Sequence, residues 1–199
     1  MRWQVNLDPK PGEVQVAAWG GTTPLAVENG LIHDWVAAMR VPGATVEQGL
    51  KLFQRYEEYP SIFPGVVESG VLSHEGSRWR VHLRLRRKNL LTVVLDADYR
   101  IEYRALKYGN WAIISLSGPI SEVENGKPLP PDIGNGFLWR LNAYWLLAPR
   151  AGGLYIECRT ISLSRDIPAG LGWLIKPMVS GVPRDSLRQT MEAARRALK

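Results

Sequence analysis

The chain has one cysteine, Cys158, among its 199 residues. A single thiol excludes an intrachain disulfide and a cysteine-based zinc site. No apolar run approaches the roughly 20 residues that a membrane-spanning helix requires, and the opening MRWQVNLDPKPGE lacks the apolar segment of a signal peptide. We therefore expect a soluble protein with no signal peptide or transmembrane segment in this chain. Its compartment is open: cytoplasmic by default, exported if a leader has been removed.

Motifs that carry catalysis are also scarce. The three histidines, His33, His74 and His82, are far apart, and none has a ligand partner at metal-binding spacing. There is no phosphate-binding glycine loop and no nucleophile elbow. Asp96 and Asp98 share one strand face, but they alternate with apolar residues and are expected to face water. We therefore predict no metal, no cofactor and no catalytic residue.

The composition itself indicates a folded domain, with 45% hydrophobic and 22% charged residues. Eight Trp and seven Tyr stand against three Phe. Such amphipathic aromatics suit the wall of a cavity or an interface, although an ordinary Trp-rich core fits equally. The net charge is +6, with six basic and no acidic residues in Arg78–Lys88 and more in the last turns. These groups either attract an anionic membrane surface or simply face water. Nucleic acid is the less expected partner, because the basic run lacks the repeated interleaving of aromatic residues that base stacking uses.

Periodicity predicts the order of elements. Residues 1–30 read as an N-terminal extension in which Trp3/Val5/Leu7 and Val14/Val16/Ala18 could form edge strands. Residues 31–199 read as one domain. It begins with a strand, His33–Val41, and a helix that Thr45 and Gln48 start with a capping box. Six further strands follow and then a helical C-terminus, with these predicted bounds: Val66–His74, Trp79–Leu85, Leu91–Tyr103, Trp111–Glu122, and a hairpin of Phe137–Leu147 with Leu154–Ile167.

The helical C-terminus is expected to break at Gly181, with Pro183 in the first turn of the last helix. Leu187, Met191, Ala194 and Leu198 give that helix one apolar stripe. A run of strands bracketed by helices is typical of an α+β domain in which a helix covers one face of an antiparallel sheet. Pockets for apolar ligands form between such a helix and a strongly curved sheet.

Three stretches resemble a known superfamily. They are GFLWRLNAYW (136–145), GGLYIECRTISLSRDIPAGLGWLI (152–175) and VPGATVEQGLKLFQRYEEYPSIFPGVV (41–67). They are similar to an uncharacterised bacterial branch of the START-like, or SRPBCC, proteins. The resemblance implies the helix-grip fold: a curved antiparallel sheet of about seven strands around a long C-terminal helix, with two short helices after the first strand.

The resemblance also implies a cavity but no shared catalytic residue. The expected function is binding or transport of a lipid, isoprenoid or polyketide-like molecule. A cyclase or dehydratase, or a membrane-surface module, is the alternative. The cavity candidates are Trp79, Val81, Leu83, Val93, Leu95, Tyr99, Tyr103, Arg140, Asn142, Tyr144, Met178, Leu187 and Met191.

The 136–165 hairpin leaves one question open. Arg140, Asn142 and Tyr144 share one strand face, and Glu157 and Arg159 join them if the loop register allows. A slip of one residue reverses the face. Turned inward, these groups would form a polar patch that orients a ligand or shuttles protons. Turned outward, they would be ion pairs on the sheet surface.

Overall fold

The computed structural model describes residues 7–21, 23–88, 92–130, 133, 138–165 and 172–199, except for the side chains of 88 and 172–180. Within these ranges the strands are β1 (Val14–Ala18), β2 (Leu25–Val27), β3 (Gly30–Pro42), β4 (Val66–Glu75), β5 (Arg78–Lys88), β6 (Thr92–Ala105), β7 (Trp111–Ser117), β8 (Ser121–Glu124), β9 (Lys127–Pro128), β10 (Leu138–Arg150) and β11 (Gly153–Arg165). The α-helices are α1 (Val46–Gln54), α2 (Tyr59–Ile62) and α3 (Gly172–Ala197).

The strands form an antiparallel sheet in the order β1-β3-β11-β10-β7-β6-β5-β4. The expected count of about seven strands is too low. The N-terminal segment supplies β1 and β2, which both pair with β3. The predicted strand Trp111–Glu122 is interrupted at Gly118-Pro119, because proline cannot donate to the ladder. Its second half forms β8, which pairs with β6 and β9.

The capping box predicted for α1 is present. The Gln48 backbone N–H donates to Thr45 Oγ1 at 3.2 Å, and the Thr45 N–H donates to Gln48 Oε1 at 2.8 Å. The helix lies close to β10, where Gly49 faces Leu147 and Leu154 so tightly that a Cβ would lie 2.7 Å from Leu147 Cδ2. Glycine therefore lets α1 approach the sheet.

The C-terminal helix is continuous, so the predicted break at Gly181 is wrong. Gly181 and Pro183 lie inside α3. They cost roughly 1 and 3 kcal/mol in a helix interior, and the predicted apolar stripe offsets this cost. Leu187, Met191 and Ala194 of that stripe are buried, and α3 packs on β3 and β1. In the part of the chain with described structure, no helix is long and apolar enough to cross a membrane.

The N-terminal segment packs against the same sheet. Beyond its pairing with β3, it contributes Asp8, which accepts a hydrogen bond from Arg40 at 2.6 Å. The ring of Trp19 lies 4.0 Å from the guanidinium carbon of Arg159. The alternating run predicted as an edge strand at Val14/Val16/Ala18 is confirmed as β1. Trp3 and Val5 lie outside the described residues.

Candidate functional site

One face of the sheet points toward α3, and we call it the inner face. The register aligns its side chains in rows across the strands, such as Val81 beside Tyr99 and Cys158 beside Ala37. Members of these rows belong to the same buried cluster as Leu187 and Met191 of α3. Cys158 is fully buried there and packs as a small apolar residue of β11. Burial raises the pKa of its thiol.

The inner face has two halves that differ in packing. Near α1 its side chains are fully buried, among them Met39, Leu147 and Ile156. Toward the other end, apolar side chains on the same face remain partly accessible, although they lie beneath the helix side of the sheet: Leu83, Leu85, Val93, Leu138, Leu141 and Ala143. We call this the open half. The half near α1 is close-packed, whereas the side chains of the open half keep solvent-accessible surface.

The predicted apolar candidates on the strands lie on the inner face. Val81, Leu95, Tyr99 and Tyr103 are buried, whereas Trp79, Leu83 and Val93 are half-buried against the same cluster. Leu187 and Met191 approach from α3. The side chain of Met178 lies outside the described residues. Ligand binding by any of these residues stays a prediction.

The structure corrects the predicted cavity position of the three polar candidates in the hairpin. Arg140, Asn142 and Tyr144 alternate with Leu141, Ala143 and Trp145, which belong to the inner cluster. Register therefore places the polar three on the outer face. The sequence could not decide this because both strand faces contain aromatic and apolar residues.

Glu157 and Arg159 share the outer face as well. Arg159 donates to both carboxylate oxygens of Asp34, at 2.9 and 2.6 Å. Tyr155 donates to Glu157 Oε2 at 2.7 Å, and burial raises the pKa of that carboxyl. The residues proposed for proton shuttling thus do not line the space under α3.

Tyr103 has a structural role instead. Its hydroxyl donates to the Phe53 carbonyl at 2.8 Å and lies 2.6 Å from the Tyr56 hydroxyl. Because Tyr103 has one proton to donate, Tyr56 must be the donor to Tyr103. The Tyr59 hydroxyl also donates to the Phe53 carbonyl, at 2.8 Å. This tyrosine network fixes the end of α1 to the sheet and leaves Tyr103 no free proton.

Four polar atoms on the inner face are buried without a hydrogen-bond partner among the residues the structure describes. They are Tyr99 Oη, Ser69 Oγ, Trp35 Nε1 and His33 Nδ1. A buried polar group without a partner costs roughly 1–3 kcal/mol. A cluster of such atoms on one face is therefore typical of a site that a bound molecule or water completes. Ser69, Trp35 and His33 are not among the cavity candidates that the sequence pattern predicts.

His33 is the most unusual of these residues. It is 1% exposed, and burial lowers its pKa, so the ring is neutral at pH 7. His33 Nε2 lies 2.9 Å from Ser164 Oγ, and Nδ1 has no hydrogen-bond partner among the described residues. These residues are 131 positions apart. The sequence offers one signal for a polar inner-face site here. Ser162 and Ser164 alternate with Ile161 and Leu163 along a long strand.

A cavity of about 530 Å³ lies at the seam between α3 and the β4–β5 edge of the sheet. We call it the seam cavity. It is lined by Pro64, Gly65, Val66, Val67, Arg86, Arg87, Val182, Asp185, Ser186 and Gln189. Its volume falls in the range of roughly 300–1,000 Å³ typical of small-molecule sites.

On the outer face of β5, two arginines pair with carboxylates. Arg84 binds Asp96 at 2.7 Å and Glu68 at 2.5 Å, and Arg80 lies 3.6 Å from Asp98. Asp96 and Asp98 thus face the arginines, as predicted, and His82 lies beside both carboxylates at 3.5 and 3.2 Å. His74, in contrast, is exposed.

Comparison with solved structures confirms the START-like helix-grip fold. The chain is similar to a STAR-related lipid transfer protein from Xanthomonas axonopodis, with a TM-score of 0.62, 17% identity, and coverage of 87% of this chain and 96% of that one. Human STARD10 gives a TM-score of 0.62 at 10% identity, over 95% of this chain and 72% of that one. The Zhui aromatase/cyclase from a Streptomyces species gives 0.57 at 11% identity, over 84% and 91%. No family model and no curated protein matches the chain.

Proposed function

We propose that the protein binds and carries an apolar small molecule, of lipid, isoprenoid or polyketide-like type, between the inner face and α3. The observation that carries this proposal is the composition of the open half. Its side chains are apolar and partly accessible although they lie on the core side of the sheet, and the same face carries buried polar atoms that have no partner among the described residues. An apolar ligand with one or two polar groups fits such a surface.

The comparisons support this class of ligand. Two of the similar structures are named as a lipid transfer protein and an aromatase/cyclase. The first name specifies a lipid as the cargo, and the second specifies an enzyme activity. At 17% and 11% identity, the likeness does not choose between them.

A direct test uses a bulky side chain to fill the open half. Ala143 lies on the inner face of β10, and Ala112 lies on the outer face of the adjacent strand β7. We expect Ala143→Trp to abolish binding of a neutral fluorescent apolar probe such as Nile red. Ala112→Trp is the matched control and should leave binding intact. Circular dichroism reports whether both variants are folded.

Either of two results would contradict the proposal. One is an absence of probe binding to the unsubstituted protein. The other is equal binding by a folded Ala143→Trp variant. Native mass spectrometry of the freshly purified protein gives an independent measurement, because a carried molecule adds a discrete mass that denaturation releases.

A second candidate function is an enzyme of cyclase or dehydratase type. The His33–Ser164 pair favours it, because a neutral imidazole with a free nitrogen on the inner face is suited to take up a proton. Incubation of the released molecule with protein distinguishes the two functions. An unchanged mass supports a carrier, whereas a conversion that His33→Gln abolishes supports an enzyme.

A further inference from the structure

The seam cavity contains an arginine that points inward from the basic strand. Arg87 pairs with Val93, two positions beyond the Leu85–Leu95 pair of the inner cluster. Its side chain therefore leaves β5 on the inner face, whereas those of Arg84 and Arg86 leave on the outer face. A long basic side chain thus reaches the space beneath α3.

Gly65 makes room for this guanidinium. A Cβ at Gly65 would lie 2.9 Å from Arg87 Nη1, and the backbone there has φ +85°, which favours glycine. The Gly65 carbonyl also accepts the Arg86 backbone N–H at 2.7 Å. The turn after α2 therefore holds the strand end close and keeps the arginine side chain in the cavity wall.

Arg87 has no counter-ion among the residues that the structure describes. This contrasts with Arg84 on the same strand, which binds two carboxylates. Asp185 lines the same cavity, but it is paired with Arg184 at 2.9 Å. Burial lowers the pKa of Arg87. A half-buried guanidinium without a carboxylate is costly unless something anionic completes it.

Neighbouring hydroxyls on the inner face add donors without partners. Tyr99 is 4% exposed, and its Oη has no partner in the described part of the chain. Burial raises the pKa of Tyr99, so the phenol stays protonated. The positive charge of Arg87 partly opposes this rise, which shows that the two groups interact electrostatically. Ser69 lies on β4 beside Leu83 of the same face. Arg87 and these hydroxyls can all donate hydrogen bonds to one acceptor.

We infer that Arg87 binds the acidic head group, a carboxylate or phosphate, of an amphiphilic ligand whose apolar chain lies along the open half. This inference rests on the proposed function and narrows it from any apolar molecule to an anionic amphiphile. An arginine fork matches the planar carboxylate or a phosphate in bidentate fashion. The half-buried apolar residues beside it, such as Leu85 and Val93, would contact the chain.

The test compares probes of equal chain length and variants of equal charge. Palmitate, hexadecyl phosphate and neutral hexadecanol are titrated into the protein, with inorganic phosphate as a head group without a chain. Arg87→Gln removes the proposed contact. Arg78→Gln removes the same charge from the exposed outer face at the far end of β5.

We expect Arg87→Gln to weaken binding of palmitate or hexadecyl phosphate by about tenfold or more, the loss typical of one charged hydrogen-bonding contact. Hexadecanol should bind both proteins within about threefold, and Arg78→Gln should change neither probe. The thermal midpoint of the unliganded Arg87→Gln variant should not fall, because no partner is lost. Arg87→Lys should retain more of the affinity than Arg87→Gln.

Several outcomes would overturn the inference and leave the carrier function intact. Two results would show that Arg87 does not bind the head group. One is that hexadecanol binds as tightly as palmitate, and the other is that the Arg87 and Arg78 variants lose equal affinity. Arg87-dependent binding of inorganic phosphate with no gain from the chain would identify a free-anion site. Failure of every chain-bearing probe to bind would instead count against the proposed function itself.

Discussion

Removing the Tyr103 hydroxyl should destabilise the protein more than removing the Tyr56 hydroxyl, although the two groups bond to each other. Tyr103→Phe deletes the donor to the Phe53 carbonyl and the acceptor of the Tyr56 proton. We expect a loss of about 2–3 kcal/mol in the free energy of unfolding, from one bond of about 1 kcal/mol and a buried donor left unpaired. Tyr56→Phe deletes only its own donated bond and should cost about 1 kcal/mol.

The double variant Tyr56→Phe/Tyr103→Phe separates the two contributions. It leaves no unpaired donor, so its cost should fall short of the sum of the single costs by about 1 kcal/mol. Urea denaturation followed by circular dichroism measures all three variants. Tyr108→Phe is the control, since Tyr108 is 90% exposed and should change stability by less than about 0.5 kcal/mol. Equal losses from the two single variants, or strict additivity, would refute the assigned direction of the hydrogen bonds.

Three further predictions concern packing and titration. Gly49→Ala should destabilise the protein by about 1–3 kcal/mol in urea, because its Cβ would overlap Leu147, whereas Gly181→Ala in the open surroundings of α3 should stabilise it by up to about 1 kcal/mol. Glu157 has a raised pKa in the folded state, so its contribution to stability is lost as pH rises from about 4.3 toward the folded pKa. The Glu157→Gln variant should therefore have a higher thermal midpoint than the unsubstituted protein at pH 7, but not at pH 4. Cys158 should react with a thiol reagent only after denaturation, and rapid reaction of the native protein would contradict its full burial.

The elements with one clear period were predictable. Alternation in β5 and β6 assigned Val81 and Tyr99 to the core face and Asp96 to the solvent face, as the register shows. The Thr45–Gln48 capping box marked the start of α1 because both bonds form within four residues. Such features depend on neighbours in sequence, which explains why sequence alone reveals them.

The site depended on partners far apart in the chain. The face taken by Arg140 is decided by the register of the hairpin, which also shifts between Leu138 and Arg140. The contact of His33 with Ser164 exists only because the first long strand meets the last one. In the sequence, Arg87 is one more basic residue in a charged run. Only its position in the wall of the seam cavity distinguishes it. Long-range pairing therefore decides the site, while local pattern decides the elements.

The pairing of β3 with β11 has a consequence for the order of folding. Residues 30–42 are joined along their whole length to residues 153–165, so one edge of β3 has no partner until residues 153–165 have been synthesised. Closing such a large loop costs conformational entropy before the contacts between the strands can form. This cost slows folding. A nascent chain that stops before β11 would expose β3 as a long apolar edge, a template for aggregation. The last hairpin thus acts as the closing step of the domain, and substitutions within it should affect the yield of folded protein more than those in β4 at the opposite edge.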